Sequence, residues 1–337
     1  MDVDGRRPEH RRNDELEAVL AELARDLEPA ARDAVARHAT PRLPLVLIVG
    51  CPRAGTTLAY QWLAAGGGFA YPSNLTARFP SAPWIGARVE RLLADPACAH
   101  GEEMACGDLN PTPYRSRLGK TRGPAAPHEF WYFWRRHLPA GETHALDAAQ
   151  LAHVDVPRLR AELAAWEDVR RRPLLLKAMI LNWNLPWLAQ TLPTAVMLHV
   201  RRDDAETARS LLAARRAFSG DESRWYSFRP PAWTRLRGLD PVAQVAGQAL
   251  HTRLDVEDGL ARIPAGRRLT VDYDELCDAP ERAYARLRSQ LAPLGALLPD
   301  YAGPRCFPRP VRAPEPSLDD ALARALHAER DALIPTV

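Results

Sequence analysis

The sequence predicts an α/β fold: a single domain with a central parallel sheet flanked by helices on both faces. Three segments carry that prediction. Leu45-Val46-Leu47-Ile48-Val49 is a short apolar run that enters a Gly-bounded loop, Gly50 to Thr57, and then a helix-forming stretch from Leu58 to Ala65. Ala195-Val196-Met197-Leu198-His199-Val200 is a second apolar run, followed by Arg201-Arg202-Asp203-Asp204 and a helical stretch to Ala217. Leu269 and Val271 alternate with polar neighbours as a strand, and Asp278 or Pro280 opens the next helix. Short apolar strands that each lead into a helix indicate a parallel sheet, because a parallel strand returns only through a crossover.

The remaining elements follow in order. Leu16, Val19, Leu20, Leu23 and Leu27 recur at helical spacing, so Asn13 to His38 reads as a helix or helix pair. Residues 1–40 are thus a helical extension, which packs on the domain or serves self-association into a homodimer. Residues 41–337 form the domain itself. Gly66 to Gly123 is irregular apart from a helix near Ala82 to Ala94, and Pro127 to His137 reads as a strongly aromatic helix. Val156 to Val169 is a further helix, and Leu174-Leu175-Leu176-Lys177 a short buried strand that ends in a charge. Helices at Pro241 to Ile263 and Leu318 to Leu333 complete the reading. Two variable regions stand out, about 66–137 and 216–238. The second carries Trp225, Tyr226, Phe228 and Trp233 without helical period, as a lid or a packed surface loop would.

Composition narrows the function. With 46% apolar and 26% charged residues among 337, the chain has the make-up of a globular protein. A net charge of +3 gives no reason to expect nucleic-acid binding. The longest apolar runs are about six residues, far below the ~20 that span a bilayer, so no membrane partner is expected. No apolar leader follows the charged N-terminus. The five cysteines, Cys51, Cys98, Cys106, Cys277 and Cys306, are odd in number and widely spaced, as reduced thiols are. A cytoplasmic location and no metal site are the expectation. Abundant Ala, Arg and Pro suit a high-GC bacterial genome.

The loop is the most informative stretch. Gly50-Cys51-Pro52-Arg53-Ala54-Gly55-Thr56-Thr57 follows the pattern G-x-x-x-x-G-K-[ST], except that Thr56 stands in place of the Lys. Strand, Gly loop and helix start together aim backbone N–H groups at a phosphate. The missing Lys is the group that reaches the terminal phosphates of a nucleoside triphosphate, so its loss argues against a kinase or NTPase. "PRAGTT" resembles the 5′-phosphosulfate loop of the sulfotransferases that use PAPS, 3′-phosphoadenosine 5′-phosphosulfate. Two further segments share the resemblance. Arg202 and Ser210, eight residues apart across a strand end and a helix, are similar to that family's 3′-phosphate site; Arg201 is the less favoured alternative to Arg202. Arg267 to Pro280, with Tyr273-Asp274-Glu275-Leu276 at its centre, is similar to its late strand-to-helix element. The three matches span Gly50 to Pro280.

The resemblance implies a PAPS-dependent transfer of a sulfuryl group to a small-molecule or glycan hydroxyl, a bacterial specialised metabolite being the favoured acceptor. It implies donor contacts from Arg53, Ala54, Gly55, Thr56, Thr57, Leu58, Arg202, Ser210 and Tyr273. Lys177 stands where members commonly carry a Lys, near the bridging oxygen or the acceptor, and the resemblance makes it and Arg53 catalytic candidates. Animal-type members place a basic His two residues later, but here that position is Met179, so the base lies elsewhere. Glu129, among apolar neighbours in Pro127-His128-Glu129-Phe130-Trp131, is the favoured base, because burial raises a carboxylate's pKa toward a useful range. His128 is the adjacent alternative, and Glu102 and Asp108 are more remote ones. Both Glu129 and His128 also suit the first turn of a helix that opens after Pro127. Leu58 replaces the adenine-stacking Trp of animal-type members, and Arg309 or Arg312 is the nearest substitute for their late Arg-Lys-Gly run. The rivals are a P-loop kinase and a non-catalytic nucleotide-binding protein.

Overall fold

The computed structural model describes residues 5–94, 98, 114–310 and 313–333. Its described strands are β1 (Leu45–Val49), β2 (Ser116–Arg117), β3 (Lys120–Thr121), β4 (Leu174–Lys177), β5 (Ala195–Arg201) and β6 (Arg268–Asp272). Four of them form a parallel sheet in the order β4-β1-β5-β6, with Leu45 opposite both Leu174 and Ala195, and Leu198 opposite Leu269. β2 and β3 form a separate antiparallel hairpin that the sequence pattern does not predict.

Period two in β1 builds two cores at once. Leu45, Leu47 and Val49 join Leu174, Leu176 and Met197 on one face, while Val46 and Ile48 join Leu175, Val196 and Leu198 on the other. All five β1 residues are buried, as a strand covered on both faces requires. The helices that cover these faces are α1 (Asp14–Asp26), α2 (Glu28–Arg37), α3 (Thr56–Ala65), α4 (Pro83–Ala94), α5 (Trp131–His137), α6 (Ala148–Ala152), α7 (Val156–Arg170), α8 (Leu185–Thr191), α9 (Asp204–Ser219), α10 (Trp233–Leu236), α11 (Pro241–Ala261), α12 (Tyr273–Asp278), α13 (Pro280–Leu291) and α14 (Pro316–Asp331).

The N-terminal pair packs on the rest of the chain. Ala31 and Ala34 of α2 belong to the same core cluster as Leu159 and Leu163 of α7. Arg158 of α7 joins Glu28 to the fully buried Glu162 at 3.0 and 2.9 Å. Glu162 also takes Arg136 and His137 of α5, at 3.1 and 3.0 Å. A carboxylate out of water needs such partners, and these bring three helices together.

Three boundaries differ from the sequence reading. The aromatic helix starts at Trp131, not Pro127, because Phe130 adopts a left-handed conformation (φ 58°, ψ 35°) that no helix continues through. Glu129 and His128 therefore precede the helix, and the helix-dipole role for them is overturned. α12 intervenes before α13, so a one-turn helix stands where a loop to Asp278 was expected. The second variable region holds the last turn of α9 and the short α10.

Candidate active site

The loop after β1 is shaped by its glycines. Gly50 has φ +131°, and a Cβ there would sit 2.6 Å from the Val200 carbonyl oxygen, so the loop leaves β1 hard against β5. Asn182 grips this glycine from the other side, accepting from its N–H at 3.1 Å and donating to its carbonyl at 2.9 Å. Gly55, at φ +100°, turns the chain into α3, whose first turn carries no side-chain cap and no acidic residue. The open N–H groups and the positive end of the helix dipole suit an anion there. Thr56 is buried and Thr57 partly exposed. Ala54 packs into a small core with Leu211 of α9, and Leu58 against the core beneath α3.

The residues matched on separate motifs meet beside this loop. Arg53, also at positive φ (74°), donates through Nε to Ser210 Oγ at 3.2 Å. Arg202 lies 4.5 Å above the Tyr273 ring and reaches the Arg53 carbonyl at 3.5 Å. Its fork is otherwise held by Glu206, at 2.7 Å. Tyr273 packs on Gly55 so closely that a Cβ there would lie 2.4 Å from its ring, and burial pushes its hydroxyl up to about 12. Arg201 instead turns away to Asp272 at 2.6 Å. Arg309, the substitute considered for the late basic run, pairs with Asp278 at 2.5 Å. Arg312, Glu102 and Asp108 lie outside the described residues.

A second group forms on the β4 side. Lys177 ends β4 with its side chain almost wholly buried, and its Nζ donates to Thr57 Oγ1 at 3.1 Å and to Glu129 Oε1 at 2.6 Å. The Trp131 indole N–H donates to Glu129 Oε2 at 2.6 Å. Trp134 fixes α5 to the end of β4 by donating to the Lys177 carbonyl at 2.8 Å. The expected upward pKa shift of Glu129 is reversed. Burial does press it upward, but the Lys177 charge and the hydrogen bonds from Lys177 and Trp131 together hold it below the usual carboxylate range. His128 is set differently: burial lowers its pKa to about 4, and its Nδ1 accepts the Phe130 N–H at 2.9 Å. That ring is neutral at pH 7 and is committed to shaping the Phe130 turn.

A narrow apolar pocket lies over this pair, about 10 Å³ in volume and so the size of a water molecule, lined by Glu129, Lys177, Trp131, Trp134, Met179, Ile180 and Phe228. Phe228 comes from the second variable region and stacks on Trp131 at 4.8 Å and 20°. Trp131 and Asn182 are the residues that sequence reasoning missed. The aromatic run around Trp131 was visible, but nothing in the sequence aims its N–H, and Asn182 carries no local signal at all.

The sulfotransferase family profile matches residues 44–292, a span that contains the loop, Glu129, Lys177, Arg202, Ser210 and Tyr273. The chain belongs to the sulfotransferase family. Among solved structures, sulfotransferase STF9 from Mycobacterium avium aligns with TM-score 0.52 and 15% identity, over 97% of this chain and 79% of that one. Sulfotransferase STF1 from Mycobacterium tuberculosis H37Rv aligns with TM-score 0.48 and 16% identity, over 80% and 72%. No curated protein matches the chain. The STF9 alignment supports the sulfotransferase fold, with the parallel sheet and the glycine loop after its first strand. Among the described residues of this sulfotransferase, no group of three or more His, Cys, Asp or Glu is placed to hold a metal ion, and no helix is long and apolar enough to cross a membrane.

Proposed function

We propose that this sulfotransferase moves the sulfuryl group of PAPS to a hydroxyl of a small-molecule acceptor, in the cytoplasm and without a metal. The observation that carries the reading is Lys177, whose ammonium bridges the loop hydroxyl of Thr57 and the Glu129 carboxylate at the mouth of an apolar pocket. Donor loop, cation, carboxylate and acceptor space are then contiguous.

PAPS, when bound, supplies the sulfuryl group and a phosphate that leaves with the bridging electron pair. The uncapped first turn of α3, the Thr56 and Thr57 hydroxyls and Arg53 hold that 5′ phosphate; Arg202 and Ser210 hold the 3′ phosphate, and Arg202 exchanges Glu206 for it. Tyr273 holds the Arg202 guanidinium over its ring. Glu129, ionised at neutral pH, takes the acceptor hydroxyl proton as the new oxygen–sulfur bond forms. Lys177 donates to the oxygen on which charge accumulates. As that donation strengthens, its hold on Glu129 slackens and the carboxylate becomes the stronger base. His128, neutral and tied to Phe130, takes no part in the proton transfer. The lining of Trp131, Phe228, Met179 and Ile180 supports a ring-bearing or lipophilic acceptor, such as a specialised metabolite, over a glycan.

Calorimetric titration with adenosine 3′,5′-bisphosphate, with ATP in parallel, tests the donor side. The bisphosphate binds and ATP does not, and Arg53→Ala and Arg202→Ala each weaken binding by about ten-fold or more, the worth of a charge-assisted contact. Equal binding of ATP, or indifference to both substitutions, returns the kinase reading. PAPS turnover with a panel of phenols and alcohols tests the chemistry. Glu129→Gln keeps bisphosphate binding and loses turnover, whereas a merely binding protein turns nothing over before or after the change.

A further inference from the structure

The geometry points to Trp131 as a positioning residue: its indole N–H fixes the Glu129 carboxylate while its ring forms the pocket wall, so that filling the pocket and aiming the base depend on one side chain. This rests on Glu129 being the proton acceptor and adds the device that orients it.

Glu129 has three side-chain torsions and sits outside any helix, between a half-buried His128 and the left-handed Phe130. Its backbone does little to aim it. Two donors from different elements do. Lys177 of β4 takes Oε1 and Trp131 of α5 takes Oε2, each at 2.6 Å. The backbone of Gly119 in the β2–β3 turn also packs close to Oε1, since a Cβ there would lie 2.8 Å from that atom. An acceptor hydroxyl therefore reaches Oε2 from the pocket and shares it with the indole, since each carboxylate oxygen keeps a second lone pair.

The indole is itself held in plane by the second variable region. Phe228 stacks on it, and His144 packs edge-on against Phe228 at 5.2 Å and 81°. A planar acceptor entering the pocket touches the same indole whose N–H restrains the base. Trp131 is thus where acceptor shape and carboxylate orientation become one constraint. The titratable groups facing Glu129 are Lys177 from β4, His128 from its own segment, Tyr60 from α3 and Tyr226 from the second variable region. Trp131→Phe leaves all of these in place, removes the N–H and keeps a smaller aromatic ring in the pocket wall.

The test of the contact needs no known acceptor, and turnover is read with the acceptor panel that tests the chemistry. The whole protein is labelled with ¹³C at glutamate carboxyls and ¹⁵N at tryptophan indoles, and followed by NMR against pH, with Glu129→Gln and Trp131→Phe assigning the two signals. In the intact protein the Trp131 indole proton lies downfield and moves in step with the Glu129 titration. In Trp131→Phe the Glu129 midpoint moves to higher pH, and in Phe228→Ala it moves the same way as the indole loosens. An indole signal indifferent to the Glu129 titration overturns the proposal, and so does an unmoved midpoint in Trp131→Phe. Moved midpoints combined with full turnover by Glu129→Gln overturn the role of Glu129 as base and leave the indole–carboxylate contact standing.

Discussion

Replacing Lys177 by Met, Glu129 by Gln, and then both together measures how strongly the two are coupled. Lys177 is 4% exposed and Glu129 28% exposed, so the pair lies between two regimes. Exposed ion pairs couple by about 0.2–1 kcal/mol, while removing one partner of a fully buried pair costs about 3–5 kcal/mol. The expected coupling is about 2 kcal/mol, so Lys177→Met costs about that much more in the intact protein than in the Glu129→Gln background, a difference of a few degrees in the shift of the unfolding midpoint. The pH dependence has a definite sign. Glu129 is held below the usual carboxylate range, so it adds stability above that range and loses it as pH falls through its folded value. Without Lys177 the burial pressure is left opposing ionisation, Glu129 moves above the usual range, and the variant regains stability as pH falls. The gap between intact protein and Lys177→Met therefore narrows between about pH 7 and pH 4. Thermal unfolding at four or five pH values measures it. A gap that stays constant with pH, or single effects that simply add in the double variant, refutes the coupling.

Gly50→Ala loses about 2 kcal/mol or more, because the position combines φ +131° with a Cβ 2.6 Å from the Val200 carbonyl; urea unfolding checks it, and a neutral substitution contradicts the packing described. Glu162 is pressed upward by burial but held at about 2 by hydrogen bonds from His137 and Arg136 and by their charges. Its contribution is therefore complete above the ordinary carboxylate range and lost as pH falls toward 2, so Glu162→Gln destabilises by about 3 kcal/mol at pH 7 and flattens the acid limb of the stability curve. Phe228→Ala removes the partner that stacks on Trp131; KM for ring-bearing acceptors rises about ten-fold while affinity for adenosine 3′,5′-bisphosphate stays put, as parallel kinetics and calorimetry will show.

The sheet was readable because its signals are local. β1, β4 and β5 are runs of apolar residues beside a Gly or a charge, β6 alternates apolar with polar residues, and each pattern predicts its own burial. The phosphate loop was readable for the same reason, being eight consecutive residues. The Lys177–Glu129 contact was not, since 48 residues separate its partners and neither segment names the other. That gap produced the wrong sign for the Glu129 pKa: apolar neighbours in sequence suggest burial alone, and the cation that outweighs burial arrives from β4. The late start of α5 had a similar cause. Only tertiary packing around His128 and Phe130 puts Phe130 into the left-handed region, against its intrinsic preference. Asn182, which clasps Gly50, belongs to the same class of long-range information.

The strand order has a consequence for how such a protein changes. β1, carrying the loop, stands between β4 on one side and β5 and β6 on the other. Arg202 and Ser210 follow β5 and Tyr273 follows β6, whereas Lys177 ends β4 and draws Glu129, Trp131 and the pocket to its own side. Under the proposed function, recognition of the nucleotide and recognition of the second substrate fall in opposite halves of one sheet, and the Thr57–Lys177 hydrogen bond is the seam between them. On that reading, retargeting to a new acceptor calls for edits at Met179, Ile180 and Phe228, which line the pocket, and none beyond the seam.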